Sequence, residues 1–442
     1  MRIKRAIHKY LLNWKDKADR KPLILRGARQ VGKTMAVNIF AEHFENYIYL
    51  NLENIADRDN FDGEISIEQF EDILKTKYNK SLVNEKTLVF IDEIQVNPYL
   101  ITLLRFFYEL RPNIHVIAAG SFFEATITET GVSIPVGRIE YAYLNPLTFI
   151  EFLVALGKEE FVSYIEKIDL LNLEVIDVIH VELIELFRLY TLIGGMPEIV
   201  ANYAEHRNNN LLTSIYNSIL SGYADDVYKY ATSSKTKYLD LIITQGPYYA
   251  GSLIKFDNFA DSGYKSREVR EAFTLLEKVM LLTLVPATWS TEVPIHKKNK
   301  PPHKLLFIDA GFTNYLYQVK TPEQIDKTRY TYKGSIYEQI IGQNILANNM
   351  ANRQQLYYWT KDSKKGSAEV DYCIQGSSKI TAIEVKYNDS KGKSIDSFLS
   401  DTNGGIAVKL YSGHPKKELT AHGYNVLSLP FYMVNYLEKF LF

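Results

Sequence analysis

The sequence predicts an α/β protein of several domains, and three observations predict it. Leu23-Ile24-Leu25 is a short apolar run that feeds a glycine-rich loop and then an amphipathic helix. Leu88-Val89-Phe90-Ile91 is a second apolar run, closed by Asp92-Glu93. Near the C-terminus, Ala368–Ile374 and Ile380–Lys386 read as two strands joined by a turn, with acids and a lysine at alternating positions. The 442 residues exceed what one ordinary core holds, so two to four domains are expected.

The first strand leads into Gly27-Ala28-Arg29-Gln30-Val31-Gly32-Lys33-Thr34, which matches G-x-x-x-x-G-K-[ST] at every fixed position. Val37, Phe40, Ala41 and Phe44 then mark one side of a helix. Gly27 and Gly32 let the backbone turn its N–H groups toward phosphate oxygens, and the helix N-terminus adds a favourable dipole. Lys33 supplies a positive charge at the β- and γ-phosphates, and the Thr34 hydroxyl is a magnesium ligand. Arg29 also reads as a plain surface side chain. The expected ligand is ATP with Mg2+.

The second apolar run reads as a central parallel strand buried on both faces. Its two acids fall at the C-terminal edge, where ligands sit in open α/β sheets. Asp92 is expected to hold magnesium, and Glu93 to polarise the attacking water as general base. Tyr47–Leu52, Ile114–Ala119 and Ile139–Leu144 complete the sheet. Ser121, after the strand ending at Gly120, has two readings, a sensor of the γ-phosphate or a turn serine. Arg138 likewise reads as a phosphate contact, in cis or from a neighbouring subunit of a homo-oligomer, or as a structural ion-pair partner.

Bulk properties narrow the function classes. A net charge of -1 is unlike a protein devoted wholly to coating nucleic acid, though it leaves room for a local basic groove. Cys373 is the single cysteine, so no intrachain disulfide can form. With no leader segment evident, a reducing cytoplasm is expected. Ile3, Ile7, Leu11 and Trp14 recur at helical spacing in a basic N-terminal stretch, read as a packed amphipathic helix rather than a membrane-surface one. No stretch approaches the roughly 20 apolar residues of a membrane span.

The middle reads as helical from about Glu151 to Tyr230, broken at Gly194-Gly195-Met196-Pro197. Asp225 and Asp226 are read as solvated or ion-paired charges. Tyr238–Gln245, Ser252–Ala260 and Ser266–Leu281 read as three helices, followed by a hairpin within Leu282–Leu306, together a winged helix. Lys265, Arg267 and Arg270 at the start of the third helix, and Lys297, Lys298, Lys300 and Lys304 at the hairpin tip, lie where such a module touches DNA. Glu268, Glu271 and Glu277 dilute that charge, so a protein-packing spacer is the competing reading.

In the last segment, Tyr332–Leu346 reads as a helix carrying Glu338. Glu384 and Lys386, two apart on a strand, share a face, and the hairpin brings Asp371 beside them. This order of acid, then acid-x-Lys, is the arrangement of the PD-(D/E)xK nucleases. In such a site Asp371, Glu384 and the Val385 carbonyl would hold a hard divalent ion, Lys386 would orient the attacking water and Glu338 would complete the set. Ion pairing alone is the plainer reading of the same residues. A helix at Ser394–Leu399 and a strand at Ile406–Tyr411 fit the remainder of that fold.

Arg26–Thr34, Ile91-Asp92-Glu93-Ile94-Gln95, Gly120-Ser121, Gly137-Arg138 and Leu144-Asn145-Pro146-Leu147 together resemble the prokaryotic AAA-type ATPases fused to a C-terminal DUF4143 domain. The resemblance continues through Gly194-Gly195-Met196-Pro197-Glu198 and Ile308-Asp309-Ala310-Gly311. It implies a bacterial source, a helical lid, a winged helix and a nuclease-like C-terminal fold. The expected organisation is a P-loop ATPase domain over 1–155, a helical lid over 156–235, a winged-helix-like module over 236–303 and a DUF4143-type domain over 304–442. Two functions follow: an ATP-driven enzyme acting on DNA, or a nucleotide-gated switch whose C-terminal domain recognises without cutting.

Overall fold

The computed structural model describes residues 2–83, 85–121, 131–230, 233–298, 302–327, 330–361, 368–389, 393–402 and 405–441. They form two compact units: Met1–Asn145 with Lys278–Leu281 and Asn349–Arg353, and the remainder from Pro146 onward.

The first unit is built on β1 (Leu23–Arg26), β2 (Asn46–Asn51), β3 (Thr87–Asp92), β4 (His115–Gly120) and β5 (Glu140–Tyr143). All pairings are parallel, in the order β2-β3-β4-β1-β5. Every residue of β1, β3 and β4 is buried, which is why these strands read as unbroken apolar runs rather than alternating ones. Helices Ile67–Tyr78 and Tyr99–Leu110 cover one face, where Phe70 and Phe107 meet edge to face at 5.4 Å. The N-terminal helix forms over Ala6–Lys15 and buries Ile7, Leu11 and Trp14, as its spacing predicts. Among the described residues no helix is long and apolar enough to cross a membrane.

The second unit begins with helices Phe149–Ala155, Glu159–Ile165, Asp177–Ile193, Pro197–His206 and Leu212–Tyr230. Asp226 in the last of these is only 3% exposed, so the solvated reading does not hold for it, whereas Asp225 is exposed. The helix expected at Ser252–Ala260 is absent. Leu253–Ile254 is instead a short strand, β6, and Phe259–Asp261 a single tight turn. Asn258 and Ala260 adopt left-handed φ values of 52° and 54°, which no helix continues through. That path lets Phe256 and Phe259 both pack on Phe273, a gain of apolar contact that outweighs helix propensity.

Strands β7 (Leu282–Thr288) and β8 (His303–Phe307) form the expected antiparallel hairpin, and β6 pairs with the far side of β8. Beyond helix Tyr330–Asn348 come β9 (Tyr357–Thr360), β10 (Glu369–Gln375), β11 (Ile380–Val385), β12 (Ile406–Tyr411), β13 (Lys416–Leu419) and β14 (Asn425–Pro430). The hairpin is not separate from them. Ala287 and Thr288 of β7 pair in parallel with Tyr358 and Trp359 of β9, giving one sheet in the order β13-β14-β12-β11-β10-β9-β7-β8-β6. Trp359, Val370, Ile380 and Phe398 centre the core on one face of its C-terminal part.

Two of the sequence signatures meet in this unit. Asp309 is fully buried and caps helix Ala310–Leu316, accepting from Gly311 N at 2.9 Å. Its other oxygen accepts from Gly195 N and Gln343 Nε2, both at 2.7 Å. Burial raises the Asp309 carboxyl to about 6 against the pull of those three donors.

Candidate functional site

In the first unit the phosphate-binding loop follows β1 and opens helix Lys33–Phe40, with Gly32 at φ 92° as the residue before its first turn. Lys33 is 6% exposed, and its Nζ donates to the carbonyls of Gly27 and Ala28, each at 2.9 Å. Burial lowers its pKa, while Glu93 and Asp92 oppose that shift. The ammonium is thus held folded over its own loop by contacts that phosphate oxygens can replace. Ala28 and Val31 are buried, Gln30 takes a φ of 63°, and Arg29 reaches Glu53 at 3.9 Å. Arg5 braces the loop from the N-terminal segment, donating to the carbonyls of Val31 and Asn145 at 2.8 Å.

Thr34 Oγ1 donates to Asp92 Oδ2 at 2.6 Å, and Tyr49 OH donates to the same oxygen at 3.3 Å. Burial raises the Asp92 pKa, with the Thr34 hydrogen bond opposing. A hydroxyl and a carboxylate in contact at the mouth of the loop form a hard oxygen pair that suits magnesium. Glu93 follows in a left-handed conformation, φ 53°, which turns the chain sharply away from β3. Gln95 Nε2 holds the Glu93 carboxylate at 2.6 Å. A Cβ on Gly120 would lie 2.2 Å from Gln95 Oε1, so any larger residue there would push the Gln95 amide aside. Gln95, Tyr49 and Arg5 escape a motif search. The only sequence sign of Gln95 is its place two residues after Glu93.

Ser121 follows β4 at this same edge, since Gly120 is in register with Arg26, the residue before the loop. Arg138 lies elsewhere. It precedes β5, whose first residue aligns with Leu23 at the start of β1. Parallel strands place it at the opposite sheet edge, roughly 13 Å of β1 away at about 3.3 Å per residue. There its Nε pairs with Glu109 at 2.9 Å, and its guanidinium lies over the Tyr108 ring. The ion-pair reading describes this position.

The second unit gathers Glu338 from helix Tyr330–Asn348, Asp371 from β10, Glu384 from β11 and Lys386 just beyond it. The β10–β11 hairpin forms as expected, and Val385 N donates to Asp371 Oδ2 at 2.8 Å. Lys386 Nζ pairs with Glu384 Oε1 at 2.7 Å, while Glu384 Oε2 is buried without a hydrogen-bond partner. Burial, then the neighbouring Asp371 charge, raises the pKa of both Glu338 and Glu384. One further residue enters the cluster. Lys304 Nζ, from β8, lies 2.6 Å from Glu338 Oε2 and 3.4 Å from Asp371 Oδ1. Lys304 was expected at an exposed basic hairpin tip; it is 1% exposed, because its alternate position on β8 points into the acidic cluster. Among the described residues no three of His, Cys, Asp or Glu gather closely enough to hold a metal ion. Lys304 Nζ thus takes the place between Glu338 and Asp371 that a divalent ion bridging those two carboxylates would need.

The other basic residues divide. The Arg267 side chain is 87% exposed and pairs with Glu271 at 3.5 Å. Arg270 lies over the Phe256 ring, and Lys298 donates to Thr360 Oγ1 at 2.9 Å. Lys297 is exposed, and Lys300 lies outside the described residues.

The parallel sheet, the loop with its buried lysine and the Thr34–Asp92 pair define a P-loop domain of ATPase type. Residues 19–153 match the AAA domain family, and residues 333–432 match the domain of unknown function DUF4143. The chain is thus an AAA-type ATPase domain joined to a C-terminal DUF4143 domain. Residues 184–323, between them, match a second domain of unknown function, DUF8612. Among curated proteins none is a significant match. Similar solved structures include the Walker-type ATPase PABY2304 of Pyrococcus abyssi, at 15% identity over 71% of this chain and 96% of that one, with a TM-score of 0.45. The RuvB Holliday junction branch migration motor of Thermotoga maritima is similar at 16% identity over 64% and 90%, TM-score 0.32. The ORC2 protein of Aeropyrum pernix is similar at 13% over 64% and 86%, TM-score 0.28.

Proposed function

We propose that the protein is a magnesium-dependent ATP hydrolase. The observation that carries this is the 2.6 Å contact between Thr34 Oγ1 and Asp92 Oδ2 beside the inward-folded Lys33. Bound Mg-ATP would supply the transferable γ-phosphoryl group and a neutralising cation. Lys33 exchanges the Gly27 and Ala28 carbonyls for phosphate oxygens. Thr34 and Asp92 hold the cation, and the Glu93 carboxylate takes the proton of the attacking water. Gln95 fixes the direction in which Glu93 points, and Ser121 contacts the γ-phosphate from β4. The test is phosphate release in Mg2+ against EDTA, with Lys33→Ala and Glu93→Gln. Turnover that persists in both variants would end this reading. Arg138 acts on a neighbouring subunit's nucleotide; specific activity that rises with protein concentration and loses that rise in Arg138→Ala supports a homo-oligomer.

ATP turnover is coupled, in this proposal, to DNA through the winged-helix-like module over 236–303. Two of its three expected helices, at Ser233–Gln245 and Ser266–Lys278, the β7–β8 hairpin and the exposed Arg267 and Lys297 support this reading. One observation favours the switch over the nuclease for the C-terminal domain: Lys304 stands among Glu338, Asp371 and Glu369. The domain is then a recognition module of nuclease-like fold, Glu338, Asp371, Glu384 and Lys386 serving as its polar core. Cleavage of single-stranded, duplex or branched DNA in Mg2+ or Mn2+, lost in Asp371→Ala, would return the nuclease reading. The single buried Cys373 supports a reducing cytoplasm as the setting.

A further inference from the structure

We propose that Lys304 is the resident cation of the Glu338–Asp371 cluster, standing where a divalent ion would otherwise bridge the two carboxylates. The inference deepens the recognition-module reading of the C-terminal domain and is independent of the ATPase reading.

The geometry is that of a fully engaged ammonium. Nζ pairs with Glu338 Oε2 at 2.6 Å and Asp371 Oδ1 at 3.4 Å, donates to the Asp371 carbonyl at 3.2 Å, and has Glu369 Oε1 at 3.9 Å. The Tyr372 and Tyr358 rings flank it with centroids at 5.0 Å and 6.0 Å. Burying an ammonium costs several kcal/mol unless it is paired and hydrogen-bonded, and here each requirement is met by named groups. Burial would lower the Lys304 pKa, yet Glu338 and Asp371 hold it well above its ordinary value. A magnesium ion needs its oxygens at about 2.0–2.1 Å, so it and the ammonium cannot share the gap between Glu338 and Asp371.

The position of Lys304 in the chain gives the substitution its meaning. It comes from β8, in the hairpin ahead of helix Tyr330–Asn348, and not from the acid-x-Lys pair on β11. The contact therefore ties the β7–β8 hairpin to the acids of β10 and the helix as a charge pair. A gap bridged this way leaves no room for a metal, or for water held by one, between Glu338 and Asp371. Glu338, Glu369, Asp371 and Glu384 still outnumber Lys304 and Lys386, and Glu384 Oε2 is buried without a partner. That oxygen is where a competing divalent ion would bind if the inference is wrong.

The test is Mn2+ binding by the full chain without nucleotide, read by electron paramagnetic resonance. An Asp92→Asn background removes the phosphate-loop ion throughout, so failure here is separate from failure of the ATPase reading. The expected result is no Mn2+ site in that background. Lys304→Met should add one site, tighter by about tenfold or more than the background's residual surface binding of Mn2+, which Asp371→Asn then removes. A Mn2+ ion held with Lys304 intact and lost with Asp371→Asn would overturn the inference, as would a folded Lys304→Met chain that gains no site. If Lys304→Met does not fold, the Lys304-intact chain decides. A melting temperature unmoved by millimolar Mn2+ supports the inference, and a rise that Asp371→Asn abolishes refutes it.

Discussion

Replacing Gly194 with alanine should be among the most damaging single changes available in the second unit. Gly194 has φ 72°, and a Cβ there would fall 1.7 Å from Asp309 Oδ1. The backbone at φ 72° and ψ -165°, a region open essentially to glycine alone, costs an alanine about 1–3 kcal/mol. The larger cost is the displacement of Asp309, a fully buried carboxylate. Moving it strands the N–H groups of Gly195 and Gly311 and the Gln343 amide, its three donors. Each unsatisfied buried group costs about 1–3 kcal/mol, so the total should exceed about 4 kcal/mol. Gly263 offers an internal control, because it also has φ 72° but nothing lies within 4 Å of its would-be Cβ. Gly263→Ala should therefore cost only the backbone part. Urea denaturation followed by circular dichroism compares the three proteins. If Gly194→Ala costs no more than Gly263→Ala, the proposed coupling between the Gly194-Gly195 turn and Asp309 is wrong.

Asp309 also sets a pH dependence. Its folded pKa of about 6 lies above the ordinary 3.8, so its protonated form is favoured by folding. That contribution is complete below about pH 4 and is lost as pH rises through about 6, amounting to about 3 kcal/mol. Asp309→Asn should flatten this part of a stability-versus-pH curve, and an unchanged slope would disprove the assignment. Asp92→Asn should lower ATP turnover by about 100-fold, with the loss read as kcat in a phosphate-release assay. Gln95→Ala should lower kcat by about tenfold and leave KM unchanged, because Glu93 loses its orienting donor while the loop is untouched. A rise in KM alone would mean that Gln95 acts on nucleotide binding instead.

The phosphate loop was legible because its requirements are local: glycines, a lysine and a hydroxyl at fixed spacing between a strand and a helix. The centre of the five-stranded sheet was legible because β1, β3 and β4, buried along their whole length, read as mostly apolar runs. Glu338, Asp371 and Glu384 were placed on the right elements by the period of two along a strand and the helical run around Glu338, while Lys386, expected on the strand, stands one residue past its end. What escaped depends on contacts distant in sequence or on a choice that composition does not make. Asp309 and Gly195 are 114 residues apart, so two signatures visible in the sequence gave no sign that they touch. Lys304 stands beside other basic residues in the chain, and its burial is decided by which face of β8 meets the acids. Arg138 reads the same whether it binds phosphate or Glu109; only the direction of β5 distinguishes them. The short β6 escaped because Leu253 and Ile254 suit a helix equally well until aromatic packing overrides propensity.

The parallel pairing of β7 with β9 bears on how this protein can be taken apart, by an experimenter or by recombination. The segment similar to DUF8612 contributes β6, β7 and β8, and the segment similar to DUF4143 contributes β9 to β14. Their boundary in sequence is a seam of backbone hydrogen bonds in space. A fragment cut between them would bare the edge of β9 and leave Glu338 and Asp371 without Lys304, an open strand beside uncompensated buried charge. The heritable unit is accordingly the pair, and a recombination junction that respects the fold lies outside both segments.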